Sequence, residues 1–330
     1  MLPQPPIENQ VRYILIIFSV FLFSLTVISC AKKSDSSSSS TTNTTTSDNT
    51  TTTSSGLYIA VGASGTLLTS SDGTSWDNRT SGTTNNLYGV TYGNSTFVTV
   101  GDNGTILTSS DGTSWTNKRT SSGTTNNLYG VTYGNSTFVT VGDNGTILTS
   151  SDGTTWTSRT SNTSKDLYGV TYGNNTFVTV GDNGTILTSS SGTRWTSRSG
   201  TSTLLNKVIY GNSTFVTVGD SGTILTSSDG TSWDNRTSST KNSLAGLTYE
   251  NSTFVTVGGS GTILTSSDGT SWTSRTSGAS DTLWGVIYGK STFVVVVGTL
   301  GTVLTSSDLT TWTSRTSNTS NNLLEVTYKE

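Results

Sequence analysis

A repeat of about 39 residues dominates the sequence from residue 56 to residue 330. Its most regular marker is a tryptophan, and successive copies are separated by 39, 41, 39, 38, 39 and 40 residues. The markers are Trp76, Trp115, Trp156, Trp195, Trp233, Trp272 and Trp312. A period of this size with several short strands in each unit is typical of the blades of a β-propeller, in which neighbouring units bury each other's faces.

Each repeat contains four strand-like segments. In the second repeat they are 87–92, 96–100, 105–109 and a segment that starts at 114, all rich in β-branched and aromatic residues. Asn103-Gly104 and Asp111-Gly112 are strong signals for tight turns, because such turns need residues that tolerate positive φ. No segment with helical periodicity interrupts the pattern, so the repeats predict an all-β domain.

The two ends of the repeat region predict a closed ring. Residues 57–61 match the second strand of a repeat, and residues 323–328 match the first strand. We therefore predict a seven-bladed β-propeller of four-stranded blades, closed by pairing of the C-terminal strand with the N-terminal partial blade. The alternative is a β-solenoid, but its coils usually need fewer residues and it does not explain the divided first repeat.

The N-terminal segment resembles a bacterial lipoprotein signal. Arg12 precedes an uncharged apolar run at 13–28, which leads into Val-Ile-Ser-Cys ending at Cys30, the only cysteine of the chain. We predict a signal peptide at 1–29, then a lipidated Cys30 with a disordered Ser/Thr-rich linker at 30–55, and the propeller at 56–330. The alternatives are an uncleaved anchor and an ordinary signal with an incidental cysteine. The resemblance implies a lipid anchor in a bacterial envelope, at the outer membrane or cell surface.

The turn before each tryptophan resembles the Asp box of sialidase-like propellers. Residues 70–76 read Ser-Ser-Asp-Gly-Thr-Ser-Trp, one residue shorter between Asp and Trp than the family pattern. Ser191 replaces the aspartate in one repeat, and Leu309 replaces the glycine in another. The whole repeat is also similar to bacterial propellers related to photosystem II assembly factors. The resemblance implies a structural role for Asp72, Asp111, Asp152, Asp229, Asp268 and Asp308.

Composition argues against several kinds of activity. The chain has no histidine, one cysteine and a net charge of −3, so histidine-based catalysis, cysteine zinc clusters and a basic nucleic-acid footprint are excluded. A sialidase would need a tyrosine–glutamate pair and a central arginine cluster, yet the repeats contain only Glu250, Glu325 and Glu330. Their arginines recur at one outer-strand position. We expect a monomeric non-enzyme without cofactor, metal site or nucleic-acid partner.

A partial ring of aspartates marks a possible binding face. Asp102, Asp143, Asp182 and Asp220 precede the turn between the second and third strands of four repeats, and other residues replace them elsewhere. The alternative is a turn residue that bonds its own backbone. Length changes cluster in the loop from the fourth strand to the next repeat, which should share this face. Trp284, which replaces a tyrosine, and the extra valine in 294–297 are interpreted as packing and as a bulge.

These observations predict non-enzymatic binding of a protein or glycan, in adhesion or assembly. Two other classes remain open, a glycan-processing, sialidase-like enzyme and a structural surface-coat protein.

Overall fold

The computed structural model describes residues 56–118, 123–289 and 300–330 and the backbone of 292–297. The predicted signal peptide, Cys30 and the linker lie outside the described residues. Within the described ranges, no helix is both long enough and apolar enough to cross a membrane.

The described strands form four-stranded antiparallel sheets. Six sheets are each built from four consecutive strands, and one further sheet combines the three N-terminal strands with the C-terminal strand. The composite sheet contains β1 (Leu57–Gly62), β2 (Leu67–Ser70), β3 (Asp77–Asn78) and β28 (Leu323–Lys329). The next contains β4 (Leu87–Gly93), β5 (Thr96–Gly101), β6 (Ile106–Ser109) and β7 (Thr116–Asn117). The third contains β8 (Leu128–Gly134), β9 (Thr137–Gly142), β10 (Ile147–Ser150) and β11 (Thr157–Arg159).

The remaining four sheets repeat the same plan. The fourth contains β12 (Leu167–Gly173), β13 (Thr176–Gly181), β14 (Ile186–Ser189) and β15 (Thr196–Arg198). The fifth contains β16 (Leu205–Gly211), β17 (Thr214–Gly219), β18 (Ile224–Ser227) and β19 (Asp234–Arg236). The sixth contains β20 (Leu244–Glu250), β21 (Thr253–Gly258), β22 (Thr262–Ser266) and β23 (Thr273–Thr276). The seventh contains β24 (Leu283–Gly289), β25 (Thr292–Val297), β26 (Val303–Ser306) and β27 (Thr313–Arg315).

The sheets are blades of a β-propeller, numbered here from 1 for the composite sheet to 7. The first strand of each blade is its inner strand, and the inner strands contact one another in the closed order β28, β4, β8, β12, β16, β20, β24 and back to β28. In blade 1, β28 pairs with β1 from Leu57 opposite Lys329 to Gly62 opposite Leu323. The four-stranded blades and the closure by the C-terminal strand agree with the sequence prediction.

The core lies between blades rather than within one of them. In blades 1 to 6 the second strand alternates its side chains between the two neighbouring blades, as the period of a strand requires. In β5, Phe97 packs towards blade 1 and Val98 and Val100 pack towards blade 3, all of them fully buried. The cluster that contains Leu323 and Val326 joins blade 1 to blade 7. Each blade therefore depends on the neighbour on either side.

The turn from second to third strand is compact in the first six blades. Three-residue 3-10 turns occupy Ala63–Gly65, Asp102–Gly104, Asp143–Gly145, Asp182–Gly184, Asp220–Gly222 and Gly259–Gly261. Their central residue is left-handed, with φ of 54° at Asn103, and asparagine tolerates this region better than most residues. In blade 7 the second and third strands pair without a register shift as far as Val296 and Val303. The additional residue of this repeat therefore lies in the turn between them. The bulge expected in 294–297 is therefore absent, and the extra residue lengthens the turn.

Candidate binding site at the mouth of the propeller

A β-bulge opens every inner strand at its second residue. In blade 2 the pairing passes from Leu87 opposite Gly101 to Gly89 opposite Val100, which leaves Tyr88 without a partner in the ladder. Bulges re-aim side chains and are common at the rims of closed sheets. The bulged residues surround one end of the central channel, called the mouth here, and they are Tyr88, Tyr129, Tyr168, Asn206, Ala245, Trp284 and Leu324.

The four predicted aspartates also lie at the mouth, half-buried at the start of their turns. The Tyr129 hydroxyl donates to Asp143 Oδ1 at 2.6 Å, and the backbone N–H of Asn127 donates to Asp143 Oδ2 at 3.3 Å. In blade 4 the Tyr168 hydroxyl donates to Asp182 Oδ1 at 3.1 Å. These contacts fix the bulged tyrosine against the carboxylate of its own blade.

The other two aspartates make related contacts. Asp102 Oδ2 accepts from the backbone N–H of Asn86 at 3.2 Å. Asp220 Oδ1 accepts from the Ser243 hydroxyl at 2.6 Å and from Asn206 Nδ2 at 3.5 Å. These contacts connect each aspartate turn to residues in an inner strand or directly before one. Their predicted role in binding a ligand stays a prediction.

The tyrosines of blades 2 to 4 form a continuous aromatic arc. The ring centroids of Tyr88 and Tyr129 are 5.2 Å apart, and those of Tyr129 and Tyr168 are 5.1 Å apart. Both separations are within the range of favourable aromatic pairs. Burial raises the pKa of Tyr129 well above its ordinary value, and the hydrogen bond to Asp143 adds to this effect. The hydroxyl is therefore a neutral donor near pH 7, and sequence analysis had not identified these tyrosines as site residues.

The opposite part of the mouth is apolar. Blades 6, 7 and 1 carry Ala245, Trp284 and Leu324 at the bulge, and blades 6 and 1 have Gly259 and Ala63 where an aspartate stands in blades 2 to 5. Trp284 is 37% exposed, which is compatible with its interpretation as a packing residue and leaves part of the ring open to solvent at the mouth. Leu300, in the lengthened turn of blade 7, is 72% exposed.

An ion pair lies directly below the mouth. The residue after the bulge is glycine in five blades, but it is Lys207 in blade 5 and Glu325 in blade 1, and Lys207 Nζ pairs with Glu325 Oε2. Both residues line a central cavity of about 300 Å³ that all seven inner strands border. Because β16 and β28 are not adjacent in the ring, this pair spans the channel. Sequence analysis named Glu325 alone and did not predict its pairing with Lys207.

The loop from the outermost strand to the next inner strand shares this face, as predicted. Asn85 Nδ2 in that loop donates to the backbone carbonyl of Asp102 at 3.3 Å and to Thr105 Oγ1 at 2.8 Å. The loops that carry length changes are therefore attached to the aspartate turns.

The turns that resemble Asp boxes join the third and fourth strands, so they lie at the opposite end of the blades. Asp111 Oδ1 accepts from the backbone N–H of Thr113 at 2.8 Å and of Ser114 at 2.9 Å. Trp115 Nε1 donates to the Gly112 carbonyl at 2.9 Å. The Ser114 and Thr113 N–H groups hold the pKa of Asp111 well below its usual range. The same carboxylate pattern occurs at Asp72, Asp152, Asp229, Asp268 and Asp308.

Two repeats depart from this turn and still form it. At Ser191 the hydroxyl is hydrogen-bonded to Thr193 Oγ1 at 2.7 Å and accepts one long bond of 3.4 Å from the Thr193 backbone N–H. At Leu309 the residue takes a φ of 61°, which glycine adopts more readily, and the buried Trp312 Nε1 has no hydrogen-bond partner. The turn therefore depends more on the serine that precedes it than on any one later residue.

The described arginines of the outer strands do not converge. Each donates its Nε to a threonine of the third strand in its own blade, as Arg159 does to Thr149 Oγ1 at 2.8 Å. The equivalent residues are Arg79, Arg198, Arg236, Arg275 and Arg315. In the part of the chain that the structure describes, no group of three or more acidic, histidine or cysteine side chains is arranged to hold a metal ion.

Comparisons with known proteins support the fold. No protein-family model matches the chain, and no curated protein matches it. The solved structure of YCF48 bound to D1 peptide is similar with a TM-score of 0.61 and 18% identity, over 75% of this chain and 86% of that one. YCF48 from Cyanidioschyzon merolae is similar with a TM-score of 0.57 and 15% identity, over 72% and 86%. Virginiamycin B lyase from Staphylococcus aureus is similar with a TM-score of 0.61 and 10% identity, over 69% and 83%. At these identities the likeness shows a β-propeller fold and nothing finer.

Proposed function

We propose that this chain is a non-enzymatic binding protein that receives a protein or glycan partner at the mouth of its propeller. The observation that supports the proposal is the asymmetry of the mouth. Blades 2 to 5 present hydroxyl, amide and carboxylate groups there, whereas blades 6, 7 and 1 present apolar side chains. A ring of near-identical repeats that differs at its opening offers one distinct surface for recognition.

A binding role is also compatible with the similar structures. One of them is described as bound to a peptide, so a propeller of this kind can hold a protein segment. Binding without catalysis fits the mouth because its repeated Tyr–Asp pairs supply like groups, whereas acid–base catalysis needs groups with different pKa values at one point.

The test is a binding screen on the full chain. Purified protein is applied to one mixed array of glycans and extracellular-matrix proteins. The comparison variant changes Asp102, Asp143, Asp182 and Asp220 to asparagine. A saturable partner that this variant loses supports the proposal. An array without any saturable partner, or a partner that the variant binds as well as the parent, contradicts it.

We further propose that the propeller is displayed from a bacterial envelope through a lipid on Cys30. The support is the sequence pattern of the N-terminal segment, in which the single cysteine follows a short apolar run. Metabolic labelling with a radioactive fatty acid tests this directly. The expected result is labelled chain in the membrane fraction for the parent and unlabelled chain for Cys30→Ser. Equal labelling of both would contradict lipidation at this residue.

A further inference from the structure

The mouth has two chemically different sides. The residue at the start of the turn between the second and third strands and the bulged residue of the inner strand both differ between these sides. The four blades with an aspartate in the turn have a tyrosine or an asparagine at the bulge, and the described contacts link these groups in blades 3, 4 and 5. The three other blades have alanine, tryptophan or leucine at the bulge. The acidic side spans blades 2 to 5, and blade 7 lies across the ring from its centre.

Blade 7 concentrates exposed apolar surface. Trp284 and Leu300 are the large apolar side chains that the described residues leave exposed, at 37% and 72%. Leu283 pairs with Val297, so Trp284 and the turn with Leu300 lie at the same end of the blade. Leu300 also has a φ of 56°, where most repeats have asparagine or serine. An exposed leucine in a strained position costs stability, which makes it a candidate for a functional role.

The charge at the mouth is asymmetric. Among the residues that the structure describes at the mouth, no row of cations faces the four aspartates of the acidic side, and the Lys207 ammonium is paired with Glu325. The neighbouring loops carry Lys165 and Lys241 together with Asp166 and Asp281, and these balance one another. The described arginines of the outer strands lie away from the channel, each hydrogen-bonded to a threonine of its own blade.

We propose that the mouth binds a basic, amphipathic segment of a partner protein, and this inference rests on the proposed binding function. Lysine or arginine side chains of the segment lie against the tyrosines and carboxylates of blades 2 to 5. An apolar side chain of the same segment packs on Trp284 and Leu300. The tyrosine faces and the carboxylates both favour a cation, the first through the ring quadrupole and the second through charge. Glycans, which lack cationic groups in most classes, fit this surface less well.

The test uses short fluorescent Gly/Ser peptides and the full chain. One peptide carries two adjacent lysines and a leucine, a second has glutamates for the lysines, and a third has serine for the leucine. Anisotropy at low and high salt measures binding. We expect saturable binding of the lysine–leucine peptide that weakens with salt, weaker binding of the serine peptide and none of the glutamate peptide.

Variants locate the binding on the protein. Trp284→Ala should weaken binding of the lysine–leucine peptide about tenfold, because it removes an aromatic anchor. It does not change the charge of the mouth. The double variant Asp143→Asn with Asp182→Asn should weaken it and reduce its salt dependence. The matched control is Asp77→Asn with Asp234→Asn, which removes two exposed charges from outer strands and should leave binding unchanged. Thermal melting of each variant confirms that it folds.

The outcomes separate this inference from the proposed function. Equal binding of the lysine and glutamate peptides, equal loss in the control variant, or no saturable binding would overturn the inference. If the array still yields a partner that depends on the four aspartates, the proposed function stands while the basic segment is wrong. If neither the array nor the peptides bind, both proposals fail.

Discussion

Single side chains decide how tightly each turn of the repeat is held. Asp152 receives two backbone N–H donors at 2.7 and 2.9 Å, and those of Thr155 and Thr154 hold its pKa well below the usual range. Ser191 occupies the equivalent position with a shorter, uncharged side chain and a weaker contact. A charged acceptor forms stronger hydrogen bonds than a hydroxyl. The turn at Asp152 is therefore held more tightly than the turn at Ser191, although the two have the same backbone fold.

Ser191→Asp should therefore stabilise the propeller. The new carboxylate meets the same backbone N–H groups as its equivalents, and a side-chain cap of this kind contributes about 1 kcal/mol. The free energy of unfolding in denaturant at pH 7 measures the gain. Asp152→Ser is the reverse control and should lose a similar amount. A destabilised Ser191→Asp would show that a carboxylate does not strengthen this turn.

At the level of elements, the turns between third and fourth strands share one electrostatic design. Six of them hold a carboxylate whose pKa is lowered in the folded protein, at Asp72, Asp111, Asp152, Asp229, Asp268 and Asp308. Each ionised group is held by N–H donors that only the folded turn supplies. The contributions of separate turns act together because each turn belongs to a different blade of one closed ring.

These turns predict a loss of stability in acid. The folded carboxylates have pKa values below the ordinary value of about 3.9, so the unfolded chain binds more protons. Their contribution is complete well above pH 4 and declines as the pH falls through this value towards the folded pKa. Melting temperatures at a series of pH values from neutral to strongly acid should fall most steeply in that range. Ser191→Asp should steepen the decline, whereas a flat profile would contradict the role of the carboxylates.

At the scale of the whole molecule, the C-terminal strand β28 connects several parts of the ring. β28 completes blade 1, and its residues Leu323 and Val326 enter the core between blades 1 and 7. Lys329 Nζ lies 4.9 Å from the centroid of the Tyr92 ring in blade 2. The Lys207–Glu325 pair crosses the channel from blade 5 to blade 1. The last strand therefore has contacts with several blades.

The ion pair across the channel should show strong coupling in a double-mutant cycle. Lys207→Met leaves the mostly buried Glu325 carboxylate unpaired, and Glu325→Gln leaves the ammonium unpaired, so each should cost roughly 1–3 kcal/mol. The double variant should cost less than the sum, because it leaves no unpaired charge. Free energies of unfolding of the four proteins measure the coupling. Additive single effects would mean that the pair does not contribute to stability.

Deletion of residues 323–330 should destabilise the ring far more than any single substitution. It removes the inner strand of blade 1, exposes the edge of β1 and opens the core between blades 1 and 7. Thermal unfolding should show a large drop in midpoint or loss of a cooperative transition. Deletion of Glu330 alone, which lies outside β28, is the control and should have a small effect. An unchanged midpoint for the longer deletion would contradict closure by β28.

Much of this architecture could be predicted from the sequence because each repeat shows the same local signals for strands and turns. The period of the tryptophans, the Asn-Gly and Asp-Gly turns and the divided first repeat depend on residues close in the chain, and they identified the four-stranded blades, the closure by 323–330 and the face shared by loops and aspartates. The same periodicity indicated that the outer-strand arginines would not converge.

Only the tertiary structure determined which side chains surround the mouth and how they contact one another. The bulge that releases Tyr129 depends on the register with β9, and the one that places Trp284 at the mouth depends on the register with β25. Lys207 and Glu325 are separated by 118 positions in the chain, and no local signal could pair them before the ring closed. A repeat specifies each blade through near neighbours, whereas the channel is formed by strands that meet only after all the blades have assembled.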